Sequence, residues 1–275
     1  MKTVYILMHQ QKPNANEIIG AVCRAFQAAG IEMAAEEWIQ KTADFSMKDS
    51  APSECDAIIA VGGDGTLLRA NALALSFKLP VLGINVGRVG FLTEVELDQL
   101  GEACRALASD EYYIEKRMML KASFKDQSVL ALNDVVVSRG GYSRLISLNA
   151  WVGEEMIGRF MADGLIVSTP TGSTGYSLSA GGPIVCPEVE CMLLTPVCAH
   201  SLQHRPVVTS PQQTIVIQLE GDCGAQISVD GQTPCPLQPD DRVTITRAEE
   251  QAQFIRLKPR SFFSKIRFKL SEWSC

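Results

Sequence analysis

The sequence is 275 residues long, with 31 acidic against 25 basic side chains, a formal net charge of −6 and 46% apolar residues. That composition excludes an intrinsically disordered chain, and the acidic balance argues against a nucleic-acid-coating protein, because phosphate-backbone binding draws on a basic excess. No apolar run approaches the roughly 18–20 residues needed to cross a bilayer, so a membrane span is excluded too.

Met1-Lys2 and the apolar stretch Val4 to Met8 run directly into His9, Gln10, Gln11 and Lys12. The stretch is too short for the core of an export signal, so it reads as a first strand, Thr3–Met8, and the chain is expected in the cytoplasm. Asn14 then stands where it can cap a helix with apolar positions Ile18, Val22, Phe26 and Ala29, and Gly30 closes it. Ile31–Ala35 reads as a second strand and 40–54 as loop. Ala57–Val61 is a continuous apolar run, as in a strand buried on both faces. A glycine turn, a helix through Leu67, Leu68, Ala70, Asn71, Ala72 and Leu75, a strand Pro80–Ile84 and a helix Leu97–Ala108 follow. This alternation predicts a Rossmann-like α/β domain with a parallel sheet.

The punctuation changes near residue 110. Short β-rich runs follow at Met118–Phe124, Val129–Ser138, Ser147–Val152, Leu165–Ser168, Thr214–Leu219, Ala225–Val229, Arg242–Thr246 and Gln253–Leu257. They predict a second, β-rich domain. In the tail, Phe262, Phe263, Ile266, Leu270 and Trp273 share one helical face, so a helix could return to the first domain or cap the second. The expected division is 1–110 with the tail 258–275, and 111–257. Nine cysteines, an odd number without C-x-x-C spacing, and three histidines point to buried free thiols rather than a zinc site or a disulfide framework.

Four features carry chemistry. Gly62-Gly63-Asp64-Gly65-Thr66 joins the AIIAV strand to a helix. Its glycines allow a tight turn and close backbone approach, and the helix start suits phosphate. The same residues would also serve as a plain turn with Asp64 as N-cap. The loop is neither a Walker A motif nor G-x-G-x-x-G, since Leu68 stands where the third glycine would be. The second feature, residues 83–92, places Arg88 and Phe91 on another glycine-bearing turn, where Arg can meet phosphate and Phe a base face, or where Phe91 can join the core. The third is residues 163–183, with six Ser or Thr hydroxyls and four glycines between 169 and 183, suited to a polar ligand with many hydroxyls or to a solvent loop. The fourth is Asn133-Asp134, polar within an apolar run, either a strand end or a pair facing a ligand.

Together and in this order, GGDGT at 62–66, NVGRVGF at 85–91, Asn133-Asp134, DGLIVSTPTGSTGYSLSAGGPI at 163–184, HSLQHRPVV at 200–208 and Asp230-Gly231 resemble the NAD kinase family, of the bacterial ATP-NAD kinase type. GGDGT alone is shared with lipid kinases of the diacylglycerol and sphingosine type; the long block at 163–184 decides between them. The resemblance implies an N-terminal α/β domain, a C-terminal β-sandwich-like domain with the C-terminal helix packing back, and transfer of the ATP γ-phosphoryl to the adenosine ribose 2′-hydroxyl of NAD. Asp64 would be the general base and touch NAD, with Gly65, Arg69, Phe91, Asn133, Asp134, Arg144, Met161, Asp163, Thr171, Thr174, Gly175, Tyr176, Ser177, Leu178, Ser179 and Gln232 at the dinucleotide. Gly62, Gly63, Gly65, Thr66 and Arg88 would form the phosphate loop. A divalent cation, Mg²⁺, would act without direct protein ligands, and the partners would be nucleotides, with no nucleic acid or membrane and a homodimer or homotetramer as the assembly. Three positions depart from the family pattern: Met161 for Arg or Lys, Gly175 for Ala, and Asp134 for Glu. A lipid kinase on the same loop and a non-catalytic NAD(P)-binding regulator are the alternatives.

Overall fold

The computed structural model describes residues 1–12, 14–42, 45–87, 90–141, 145–200, 204–221, 224–259 and 262–272. The chain forms two compact units, one of residues 1–116 and 252–275 and the other of residues 117–251.

The first unit contains strands β1 (Thr3–Met8), β2 (Glu32–Ala35), β3 (Ala57–Gly62), β4 (Val81–Asn85) and β5 (Val95–Glu96) and helices α1 (Ala15–Ala28), α2 (Glu37–Thr42), α3 (Asp64–Phe77) and α4 (Leu100–Ala108). Its strands are parallel, in the order β2-β1-β3-β4, with β5 on β4. All six residues of β3 are buried, which explains its unbroken apolar sequence. Helix α1 turns Ile19, Val22, Cys23 and Phe26 into the core. It ends in a Schellman motif: Gly30 has φ 71°, its N–H reaches Gln27 O (3.0 Å), and Ile31 N–H reaches Phe26 O (3.1 Å). At the other end Asn14 holds the N-cap position in a left-handed conformation without a side-chain cap. Residues 40–42 complete α2 rather than a loop.

The second unit holds the rest of β6 (Tyr113–Phe124), then β7 (Gln127–Ala131), β8 (Asp134–Arg139), β9 (Ile146–Val152), β10 (Glu155–Ala162), β11 (Gly164–Ser168), the short helix α5 (Tyr176–Ser179), β12 (Met192–Val197), β13 (Val207–Thr209), β14 (Ile215–Glu220), β15 (Ala225–Val229), β16 (Cys235–Leu237) and residues 242–251 of β17 (Arg242–Arg256). One antiparallel sheet runs β13-β12-β11-β8-β15-β16; β10, β9, β14 and β17 form a second antiparallel array, and β6 and β7 pair as a hairpin. Val135, Val137, Leu165 and Val167 pack with Leu148, Ala150, Ile217 and Ile245 in one core, the arrangement of a sandwich.

Three sequence expectations change here. The run 129–138 is two strands, broken at Leu132-Asn133, with β7 and β8 in different sheets. The polar stretch at 247–251 does not break β17, which runs from Arg242 to Arg256. Strands β10 and β12 escape a sequence reading because a glycine and charges interrupt β10 and Pro196 interrupts β12. Pro196 is tolerated because β13 pairs only as far as Leu194, which leaves Pro196 without a ladder partner on that side among the described residues. The last five residues of β17 belong to the first unit, where Phe254 pairs parallel with Val81, and helix α6 (Phe262–Glu272) completes that unit.

Cys23, Cys55, Cys104 and Cys191 are buried free thiols as expected, but Cys186 and Cys235 are half-buried and Cys198 is exposed, while Cys223 and Cys275 lie outside the described residues. Burial pushes the Cys23 thiol up to about 11 and the Cys104 thiol up to about 12, far from reactivity.

Candidate active site

In the first unit the turn after β3 is shaped by Gly62 and Gly63. A β-carbon at Gly62 would run into the Thr66 side chain. Gly63, in extended conformation, is the N-cap of α3, and its carbonyl accepts Thr66 N–H (3.0 Å) and Leu67 N–H (3.1 Å). Asp64 is therefore not the N-cap. It is the first helical residue, and its carboxylate turns away to the next loop. Oδ2 accepts Phe91 N–H (2.9 Å) and Oδ1 accepts Leu92 N–H (3.1 Å). Gly90 makes room, since a β-carbon there would strike Asp64 Oδ1. Each oxygen keeps a second lone pair for a further donor. Phe91 is half-buried, while its neighbour Leu92 joins the core.

A cavity of about 480 Å³ opens beside this turn, lined by His9, Gln11, Lys12, Gly65, Thr66 and Arg69. Three of the six are basic or imidazole and none is acidic. Lys12 Nζ donates to Val86 O (3.0 Å). Arg69 is held by Glu36 (3.1 Å) and Met8 O (3.1 Å), so part of its charge is already answered. Arg88 and Arg144 lie outside the described residues.

In the second unit the break before β8 puts Asn133 and Asp134 against the loop 169–176. Thr169 N–H reaches Asn133 O (2.9 Å) and its hydroxyl donates to Leu132 O (2.6 Å). A β-carbon at Gly172 would collide with the Asn133 carbonyl, so only glycine fits there. At Gly175 a β-carbon would lie 3.3 Å from Gly172 O and 3.9 Å from both Asn133 Nδ2 and Asp134 Oδ2. The alanine usual in the family would thus need only a small shift. Among the described residues the Asn133 Oδ1 atom is buried without a partner.

Most hydroxyls of the block build the loop itself. Ser173 bonds Pro170 O (2.7 Å) and Val185 N–H (3.1 Å), Thr171 accepts from Arg117 (3.2 Å), Thr174 donates to Thr171 O (3.3 Å), and Ser177 shares a bond with Thr195 (2.9 Å). Tyr176, 46% exposed, and Ser179 point outward, while Leu178 is half-buried. Burial raises the Tyr176 hydroxyl pKa, and the charges of Cys198, Asp163 and Asp134 add to this, so these groups share one neighbourhood. Asp163 is held by Arg139 (2.8 Å). Met161 is exposed on β10, and Gln232 is exposed after the Asp230-Gly231 turn.

Asp230 organises this region and was legible only as part of a motif. With Gly231 it forms a turn with φ 49° and 69°. Its carboxylate accepts N–H groups from Leu132 (2.8 Å), Asn133 (2.7 Å) and Asp134 (3.1 Å). Burial, with the charge of Asp230 beside it, pushes the Asp134 carboxyl up to about 7. A carboxyl raised from its ordinary range stabilises the fold below about pH 4, and that contribution is lost as pH rises to about 7. Asp134→Asn should accordingly raise the thermal midpoint at pH 8 and leave it nearly unchanged at pH 4; a shift of equal size at both would contradict the assignment.

Among the described residues no group of three or more His, Cys, Asp or Glu side chains could hold a metal ion.

The ATP-NAD kinase N-terminal domain family matches residues 4–112, and the ATP-NAD kinase C-terminal domain family matches residues 132–257. NAD kinase of Thermoanaerobacter sp. is 38% identical over 274 residues, 98% of this chain and 91% of that protein. NAD kinase of Desulforamulus reducens is 45% identical over 228 residues, 80% of this chain and 79% of that protein. Among solved structures, yeast NADH kinase complexed with NADH superimposes with a TM-score of 0.84 at 26% identity, covering 97% of this chain and 86% of that one. An NAD kinase from Archaeoglobus fulgidus in complex with ATP gives 0.76 at 28% identity, covering 98% and 99%. With both domain families matched in order and relatives of this identity along nearly its whole length, the chain belongs to the NAD kinase family.

Proposed function

We infer that the enzyme phosphorylates NAD, moving the γ-phosphoryl of ATP onto the adenosine ribose 2′-hydroxyl to give NADP, and that Asp64 is the general base. The observation that carries the base assignment is the Asp64 carboxylate, held by the Phe91 and Leu92 amides on the same turn whose Gly65 and Thr66 line a cavity with no acidic side chain among its described lining residues. A ribose hydroxyl is a weak nucleophile, and a fixed carboxylate can orient it and take its proton as the new bond forms. The 62–66 turn and the basic side chains around it suit a triphosphate, whose charge the protein as a whole, at −6, does not attract. Mg²⁺ would enter as part of the ATP complex and neutralise charge on the phosphates.

The loop 171–179 with Asn133, Asp134 and Asp163 would hold the dinucleotide. Asn133 and Asp134 supply a donor and acceptors for base and ribose, and the Tyr176 ring would lie against the adenosine. Tyr176→Ala is expected to weaken NAD binding by about 5- to 150-fold, the loss of one stacked contact of ~1–3 kcal/mol, read by calorimetric titration. An unchanged dissociation constant would remove Tyr176 from the site. The same reading makes the enzyme a cytoplasmic homodimer or homotetramer. Incubation with NAD, ATP and Mg²⁺ should yield NADP, detected with an NADP-specific dehydrogenase. Phosphorylation of diacylglycerol instead would support the lipid-kinase reading, and NAD binding without turnover the regulator.

A further inference from the structure

The C-terminal tail reaches the loop that holds Asp64. Lys265 of α6 donates to Phe91 O (3.1 Å) and Thr93 O (3.2 Å). Arg256, at the end of β17, donates to the intervening carbonyl of Leu92 (2.9 Å), while Glu115 (2.6 Å) and Glu94 (3.3 Å) fix its guanidinium. Three successive carbonyls, 91 to 93, are thus gripped by two cations. The amides of the first two hold the two oxygens of Asp64. Phe262 and Ile266 are half-buried, Phe263 is 66% exposed, and the side chains of Leu270 and Trp273 lie outside those described.

We propose that Lys265, together with Arg256, is a positioning residue for the reaction: the tail clamps residues 91–93 so that their amides present the Asp64 carboxylate at a fixed place and angle. A peptide segment carrying both a carbonyl grip on one side and amide donors on the other transmits the restraint directly. Removing the ammonium takes one donor from the part-buried carbonyls of Phe91 and Thr93 at a site where Lys265 itself is half-buried, so the fold survives, but the loop gains freedom and Asp64 loses its fixed reference. Displacement of a reacting group by about 1 Å costs on the order of 100-fold in rate. Arg256 is the poorer test, because Glu94 and Arg256 are both buried and removing one strands the charge of the other.

The inference rests on Asp64 as base, and the experiment separates the two claims. In the full-length enzyme Lys265→Met should lower kcat by about 10- to 100-fold and leave KM for NAD and for ATP within about twofold, the mark of an interaction felt in the transition state. Native-state hydrogen exchange at Phe91 and Leu92 should accelerate, while β3 amides stay protected. Lys265→Arg should restore most of both. Introduced into Asp64→Asn, Lys265→Met should cost nothing further, since there is no base left to position. The clamp is overturned if kcat stays within twofold, if the two amides exchange at wild-type rates, or if the loss recurs undiminished in the Asp64→Asn background. Near-normal turnover of Asp64→Asn alone would instead overturn the base assignment beneath it.

Discussion

Asp64→Asn is expected to lower NADP formation by about 10²–10⁴-fold while changing NAD affinity by less than about threefold. The substitution keeps size and shape and removes the ability to accept a proton at neutral pH. It has a second consequence that the geometry makes explicit. The carboxylate serves two N–H donors, from Phe91 (2.9 Å) and Leu92 (3.1 Å). An amide side chain offers one oxygen and one NH₂, so one backbone N–H would face another donor. That mismatch costs about 1–3 kcal/mol and should appear as a lowered thermal midpoint. Catalytic loss and destabilisation are separable, because rates are measured well below the transition, where the variant remains folded. Near-wild-type turnover would contradict the assignment.

Asp230→Ala is expected to destabilise the protein by roughly 3 kcal/mol and to cripple dinucleotide binding with it. Three backbone N–H groups, of Leu132, Asn133 and Asp134, lose their acceptor at once. Alanine is also poorly suited to the left-handed conformation that Asp230 adopts, at φ 49°. The removal of a buried charge offsets part of this, since burial raises the Asp230 carboxyl above its usual range. Urea denaturation at neutral pH measures the balance. A change below about 1 kcal/mol would mean that the three amides find other partners. The same variant should bring the Asp134 carboxyl down from about 7, since the charge of Asp230 is one of the two causes holding it up.

The parallel layer of the first unit was legible because apolar runs such as Ala57–Val61 and glycine punctuation are local signals. The glycines were equally readable as requirements for close approach. At Gly90 and Gly172 the structure shows what approaches: the Asp64 carboxylate and the Asn133 carbonyl. Less legible was what depends on long-range pairing. Strand β12 was hidden by Pro196, whose tolerance is set by how far β13 extends. The split of 129–138 depends on Asp230, nearly a hundred residues away, capping the amides at the break. The hydroxyl-rich block pointed to ligand contacts, whereas Ser173, Thr169 and Ser177 spend their hydroxyls on the loop itself. Arg139, Arg256 and Lys265 carry no motif, and only their partners in the fold reveal them.

The central claim is that Asp64 accepts the proton of the adenosine ribose 2′-hydroxyl while phosphorus is transferred to that oxygen. Its most direct measurement is a single turnover of NAD-loaded enzyme with ATP and Mg²⁺, followed by ³¹P NMR of the products from wild type and Asp64→Asn. The wild type should give one new phosphomonoester on the 2′-oxygen, and the variant bound NAD with intact ATP over the same time. A phosphomonoester formed at a comparable rate by Asp64→Asn, or placed on another oxygen by the wild type, would contradict it.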